Sequence, residues 1–337
     1  KYNYLALSWA PTMSTDIAHT QSKHEQFNLK FSYVFIVSCM VSISIVNNLL
    51  SLQTFLRERI RLTSCVFYLI FYCVYSLMAC LLMQVVVLTM LYNDQLIDYS
   101  LPVCRIIPVL SVMFGHLSLW ISSFIAVERT LVECFNLNFY RTRKQSFIVS
   151  IILLILLTAT HVHKIIARKM IPDPTLPTSY YCTFQFSHAW AIYDRTLNHL
   201  HLLLPCLLHF LATICVLTSI AKRKIFISES RESFWKMWFQ QLGKHKDFLI
   251  PPFVIILCTM PHVVFIDIKY YDCVESFEKF YLRFHIATEL LFYIPQILTF
   301  FIYVYPSMIY KNEYFQSKAG QKIQTLKFKI LSICGRN

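Results

Sequence analysis

The sequence predicts an all-α membrane protein, a seven-transmembrane helix bundle, and three observations carry that expectation. The 337 residues are 56% hydrophobic, with a mean hydropathy of +0.52 and only 15% charged residues. That leaves too little polar surface for a chain dissolved in water. The apolar residues gather in seven blocks, each about the 20 residues that cross a hydrocarbon core of roughly 30 Å at about 1.5 Å per helical residue. The short alternating strands of a membrane barrel are missing from the pattern.

The blocks run in order from Phe31 to Leu56, Cys65 to Tyr92, Val103 to Val132, Gln145 to Ile166, Leu197 to Ala221, Phe248 to Ile268 and Phe284 to Tyr310. Block three ends on Glu128-Arg129-Thr130, and an arginine at the edge of a membrane helix is costly unless it is paired or faces a polar interior. A snorkelling interfacial arginine is the plainer reading. Blocks five, six and seven contain Pro205, Pro261 and Pro306. Each removes a backbone donor and predicts a kink whose freed carbonyls need other partners; any one of them alone is commonly just tolerated. With only four glycines and no internal repeat, the chain lacks the broken-helix, inverted-repeat design of many transporters.

The net charge of +13 does not point to nucleic acid, because the Lys and Arg residues sit in the gaps between blocks and form no stripe on a soluble face. Their sidedness orients the chain. The side with the N-terminus and the segments after blocks two, four and six, counted with the adjoining block ends, holds 11 Lys and Arg, and the opposite side holds 19. The positive-inside rule then puts the N-terminus outside and the tail in the cytoplasm, which needs an odd number of spans.

Residues 1–30 therefore read as a polar extracellular segment without a cleavable signal pattern, 31–310 as one membrane domain and 311–337 as a cytoplasmic tail. The chain starts on Lys1 rather than Met, which leaves its natural start open. In the tail, Ile323, Leu326 and Ile330 recur at helical spacing among Lys322, Lys327 and Lys329, the pattern of a short amphipathic helix on an anionic leaflet. Cys334 could carry a lipid there or stay a plain thiol.

Cys104 opens block three and Arg129 follows 25 positions later. That interval resembles the rhodopsin-like (class A) G-protein-coupled receptors, in which an outer cysteine and an inner Asp/Glu-Arg-Tyr motif bracket the third helix. The same family resemblance covers Asn48 in the first helix, Pro205 in the fifth, Cys258-Thr259-Met260-Pro261 in the sixth and Tyr305-Pro306 in the seventh. The departures are definite. Thr259 replaces a tryptophan, Tyr305 an asparagine, Ile309 a tyrosine with Tyr310 one position late, Ser76 a buried aspartate, and Gln241 an acidic lock residue.

The resemblance implies a disulfide between Cys104 and Cys182, which an oxidising exterior permits; Cys273 is left over. It implies that Glu128, Arg129 and Thr130 form the G-protein coupling switch, with Arg129 released from Glu128 on activation. Pro205, Cys258, Pro261, Tyr305 and Pro306 become the hinges, and Asn48 and Ser76 the internal polar positions. It also places the ligand pocket on Ser111, Val112, Gly115, His116, Asn198, His201, His262, Ile266, Leu291, Pro295 and Thr299. The implied partners are an extracellular ligand, a heterotrimeric G protein and membrane lipid at the plasma membrane.

Retinal and biogenic amines are disfavoured as ligands, since Thr299 stands where a Schiff-base lysine is needed and Ser111 where an amine-binding aspartate is. A peptide or small polar messenger fits better, with Asp267 and Glu289 near the outer end. His116, His201 and His262 could form a polar or metal-binding group, but ordinary hydrogen-bonded histidines are the commoner reading, so no metal and no cofactor are expected. No His-Glu-x-x-His, Gly-x-Ser-x-Gly or phosphate-loop motif occurs, so an enzyme is not expected. A transporter, a channel or a chemosensory receptor of another seven-pass class remains the alternative.

Overall fold

The computed structural model describes residues 13, 16–17, 20, 22–61, 63, 65–92, 102–135, 143–172, 180–184, 186–228, 233–271 and 279–325. Six of its helices are long and apolar enough to cross a membrane, and the chain is an all-α membrane protein. We name the helices of the bundle α1 (Lys23–Phe55), α2 (Val66–Tyr92), α3 (Ile107–Phe135), α4 (Arg143–Ala167), α5 (His188–Ser228), α6 (Lys246–Tyr271) and α7 (Lys279–Phe292). Each of the first six covers its apolar block to within a few residues, the third preceded by a π-helical turn at Pro102–Ile106.

The seventh block differs from the single helix that its composition predicts. It runs as α7, a turn at Tyr293, the short helix Ile294–Ile297 and a π-helical turn at Phe300–Val304. A new helix, α8 (Met308–Phe315), follows Ser307. The causes are local. Pro295 lacks the amide hydrogen that its turn of the ladder needs, and Pro306 does the same at the start of α8. Tyr310, the last residue of the predicted span, thus belongs to the next helix.

α3 is the axial helix. It packs against α2, α5 and α4, while α1 covers α2. The apolar interior divides in two. One cluster gathers Tyr33, Met83, Val87, Leu202, Val263 and Ile286 in the half nearer the N-terminal segment; the other gathers Phe55, Leu69, Tyr72, Ile121, Tyr303 and Tyr314 in the opposite half. Met13 and Ile17 join the first cluster, so part of the N-terminal segment is packed against the bundle. Asp16, fully buried, accepts hydrogen bonds from the Tyr33 hydroxyl (2.6 Å) and Arg283 Nε (3.3 Å).

After α4, the strands β1 (Arg168–Pro172) and β2 (Tyr180–Phe184) pair antiparallel, with Met170 opposite Cys182. The outward faces of α1, α4 and α5 carry exposed Phe35, Ile155, Leu156, Leu207 and Phe210. Such a surface is stable only against hydrocarbon. Residues 318–325 are helical; Leu326, Lys327, Lys329, Ile330 and Cys334 lie outside the described residues, as does Cys273.

Candidate functional site

At one end of α3, Arg129 turns toward α6. Its guanidinium donates to the Asp247 carbonyl (3.5 Å) and lies 5.2 Å from the centre of the Phe248 ring. Tyr310 of α8 approaches closely enough to interact with the same charge. Glu128 points elsewhere and accepts from the Ser146 hydroxyl of α4 at 3.5 Å. The expected Glu128 partnership is therefore replaced, because consecutive helical side chains diverge by about 100° and these two face different neighbours. Thr130 bonds the Ala212 carbonyl at 3.3 Å and ties α3 to α5.

Arg129, Ser122, His209, Asp247, Phe248 and Tyr303 line a small cleft. On its inner wall, Ser122 Oγ bonds both His209 Nε2 (2.7 Å) and the Tyr303 hydroxyl. Three elements meet there through one serine. Tyr303 can reach α3 because the π-helical turn rotates it inward; a straight seventh helix would aim it elsewhere.

Midway along the bundle, the break in the seventh block is filled by a side chain. Gln296, with its amide oriented to satisfy both ends, donates to the carbonyls of Phe292 (2.8 Å) and Tyr293 (3.0 Å) and accepts from the Ser118 hydroxyl (3.1 Å). Asn48 donates in turn to the Gln296 carbonyl at 2.9 Å. Ser76 is buried nearby in α2, one turn from Tyr72. The predicted internal residue Asn48 thus works with Gln296, which the sequence reading missed; a glutamine next to a proline in an apolar block was the available signal.

The predicted pocket residues that are described meet different neighbours. Ser111 bonds the Ala79 carbonyl (3.1 Å) and the Tyr293 hydroxyl (3.2 Å). A methyl group on Gly115 would fall 2.9 Å from the Phe292 ring, so this position is a helix contact and not open space. Val112 and Leu291 are half-buried. Pro295 accepts from the Tyr72 hydroxyl, and Thr299 folds back onto the Gln296 carbonyl. Ile266 and Asp267 have side chains outside those described.

The histidines regroup. His116 meets His161 of α4 through a 3.1 Å Nδ1···Nε2 contact, and His201 stacks on His161 with ring centres 5.3 Å apart. Thr160 and Trp120 satisfy the two nitrogens of His201. His262 shares the Phe292 ring with His116, each 5.9 Å from its centre, and lies 3.8 Å from Glu289, with His285 at 3.7 Å from the same carboxylate. Among the described residues no group of His, Cys, Asp or Glu is arranged to hold a metal ion. The His116, His201 and His262 trio of the sequence is therefore corrected to His116, His161 and His201.

Beside that trio, Lys164 donates to Asn198 Oδ1 (2.6 Å) and pairs with Asp194 (3.4 Å), which also holds His163 at 2.8 Å. The lysine and both its partners' elements come from the Thr160-His161-Val162-His163-Lys164 run at the end of α4 and the first turns of α5. Several polar residues at the end of an apolar block were the missed signal.

Cys104 is buried, and its carbonyl accepts from buried Arg168 of β1 at 2.9 Å. Burial pushes the Arg168 guanidinium down to about 10, which leaves it charged at neutral pH. Of the predicted hinges, Pro205, Cys258 and Pro261 lie within α5 and α6, whereas Tyr305 is exposed with Lys311 over its ring. Thr259 is buried beside Cys206 of α5. No protein-family model matches the chain, and no curated protein matches it.

Proposed function

We propose that the chain is a rhodopsin-like G-protein-coupled receptor of the plasma membrane, with seven spans and its N-terminus outside. One observation carries the reading. A single half-buried arginine at the end of the axial helix holds the start of α6, through Asp247 and Phe248, and contacts Tyr310 beyond the seventh span. Outward movement of α6 would break those contacts and widen the cleft beneath them, giving a G-protein helix a groove to enter. Tyr310 takes the part that the shifted motif around Pro306 left open.

The outer half supports the same reading. Cys104 and Cys182 are proposed as a disulfide, supported by the position of β2 next to β1, whose Arg168 grips the Cys104 carbonyl. The ligand would meet the polar surface of His116, His161, His201, Asn198 and Lys164, and a peptide or small polar messenger with hydrogen-bonding groups matches that chemistry. Binding would shift an existing equilibrium and not create a new state.

The test is G-protein nucleotide exchange in membranes holding the chain, alone and with a pooled peptide and metabolite library, against an Arg129→Ala control matched for surface expression. Signal that vanishes in the variant supports a coupled receptor. An unchanged signal in the variant removes Arg129 from its role.

A further inference from the structure

We propose that the helix Phe234–Lys244, between α5 and α6, is a membrane-surface anchor whose aromatic face rests among the anionic headgroups of the inner leaflet. At about 100° per residue this helix has three faces. Met237 and Gln241 form the one buried against the bundle. Trp235 and Phe239 form the next, 65% and 62% exposed, with half-buried Leu242 beside Trp235. Lys236, Gln240 and Lys244 form the third. One side thus meets protein, one is apolar and one is basic.

The occupant follows from position and charge. Lys244 is two residues before Lys246, where the α6 span begins, so the helix starts from the bilayer surface. On the other side, α5 has 41 residues and a length of about 60 Å, near twice the hydrocarbon core, so it outruns that core. Its last turns carry Lys222-Arg223-Lys224 and then Phe226 and Ile227, both widely exposed. Tryptophan and phenylalanine flanked by lysines are the chemistry of the headgroup layer, with rings in the acyl boundary and ammonium groups on phosphate. A soluble acidic partner would be served by the lysines and would leave the tryptophan and phenylalanine without a reason.

The word "inner" rests on the receptor topology; contact with a bilayer does not. The full chain is therefore reconstituted in nanodiscs whose two leaflets share one composition, phosphatidylcholine with or without phosphatidylserine. The fluorescence of Trp235 is obtained as wild type minus Trp235→Phe. Bromines placed near the headgroups should quench it, aqueous acrylamide should not, and phosphatidylserine should shift it to the blue. The Lys222→Gln/Lys244→Gln pair should lower the preference for phosphatidylserine on the order of tenfold. Quenching by acrylamide alone would overturn the proposal and mark a face for a soluble partner, and protection from both quenchers would overturn it in favour of a protein contact. Either failure leaves the signalling test of Arg129 untouched.

Discussion

The Arg129 guanidinium lies over the Phe248 ring, 5.2 Å from its centre, and joins the axial helix to the start of α6. A cation on an aromatic face contributes about 0.5–2 kcal/mol, roughly two- to thirtyfold in an equilibrium. Phe248→Ala should therefore raise ligand-independent nucleotide exchange by a factor in that range. Basal turnover equal to wild type at matched expression would mean that this contact does not hold the resting state.

Asp194 and Lys164 are both buried, and Asp194 also carries His163. Removing one partner of a buried pair costs about 3–5 kcal/mol because the other charge is left unpaired, whereas replacing both with apolar groups is often close to neutral. Asp194→Ala should sharply lower the unfolding temperature in detergent. Lys164→Met/Asp194→Leu should recover much of the loss; if the double variant is as unstable as the single one, packing around Asp194 and not charge is what matters.

Gln296 fills the break in the seventh block with its side-chain amide. Gln296→Leu strands the Phe292 carbonyl and leaves the Tyr293 carbonyl with the Ile297 amide alone, and should cost about 1–3 kcal/mol, read as a lower denaturation midpoint. Faster amide exchange confined to residues 293–304 would locate the damage. Unchanged stability would show that water takes over the Phe292 carbonyl.

Gly115 is closed over by Phe292, with a Cβ position 2.9 Å from the ring. Gly115→Ala should destabilise the bundle by about 1–3 kcal/mol through overpacking. Adding Phe292→Leu should relieve the clash, and thermal unfolding of the two variants decides it. No rescue would put the strain in the backbone of α3 and not in this contact.

Sequence alone determined the membrane class and six of the helices, because burying so many apolar residues in lipid depends on composition and block length, which are properties of the chain read in one dimension. It also marked Arg129 as a residue too polar for its surroundings, and the family resemblance pointed to Asn48, His116, His201 and His262. Which partners they take was decided only by the tertiary structure. Arg129 faces Phe248 instead of Glu128 because of the helical angle between neighbours, and His161 supplants His262 because α4 packs against α3 there. The extent of the break in the seventh block was set by the tertiary structure for a different reason. The block's composition satisfies a single span, and only a proline-freed ladder repaired by Gln296 and Asn48 makes the break affordable in a bilayer that offers no water.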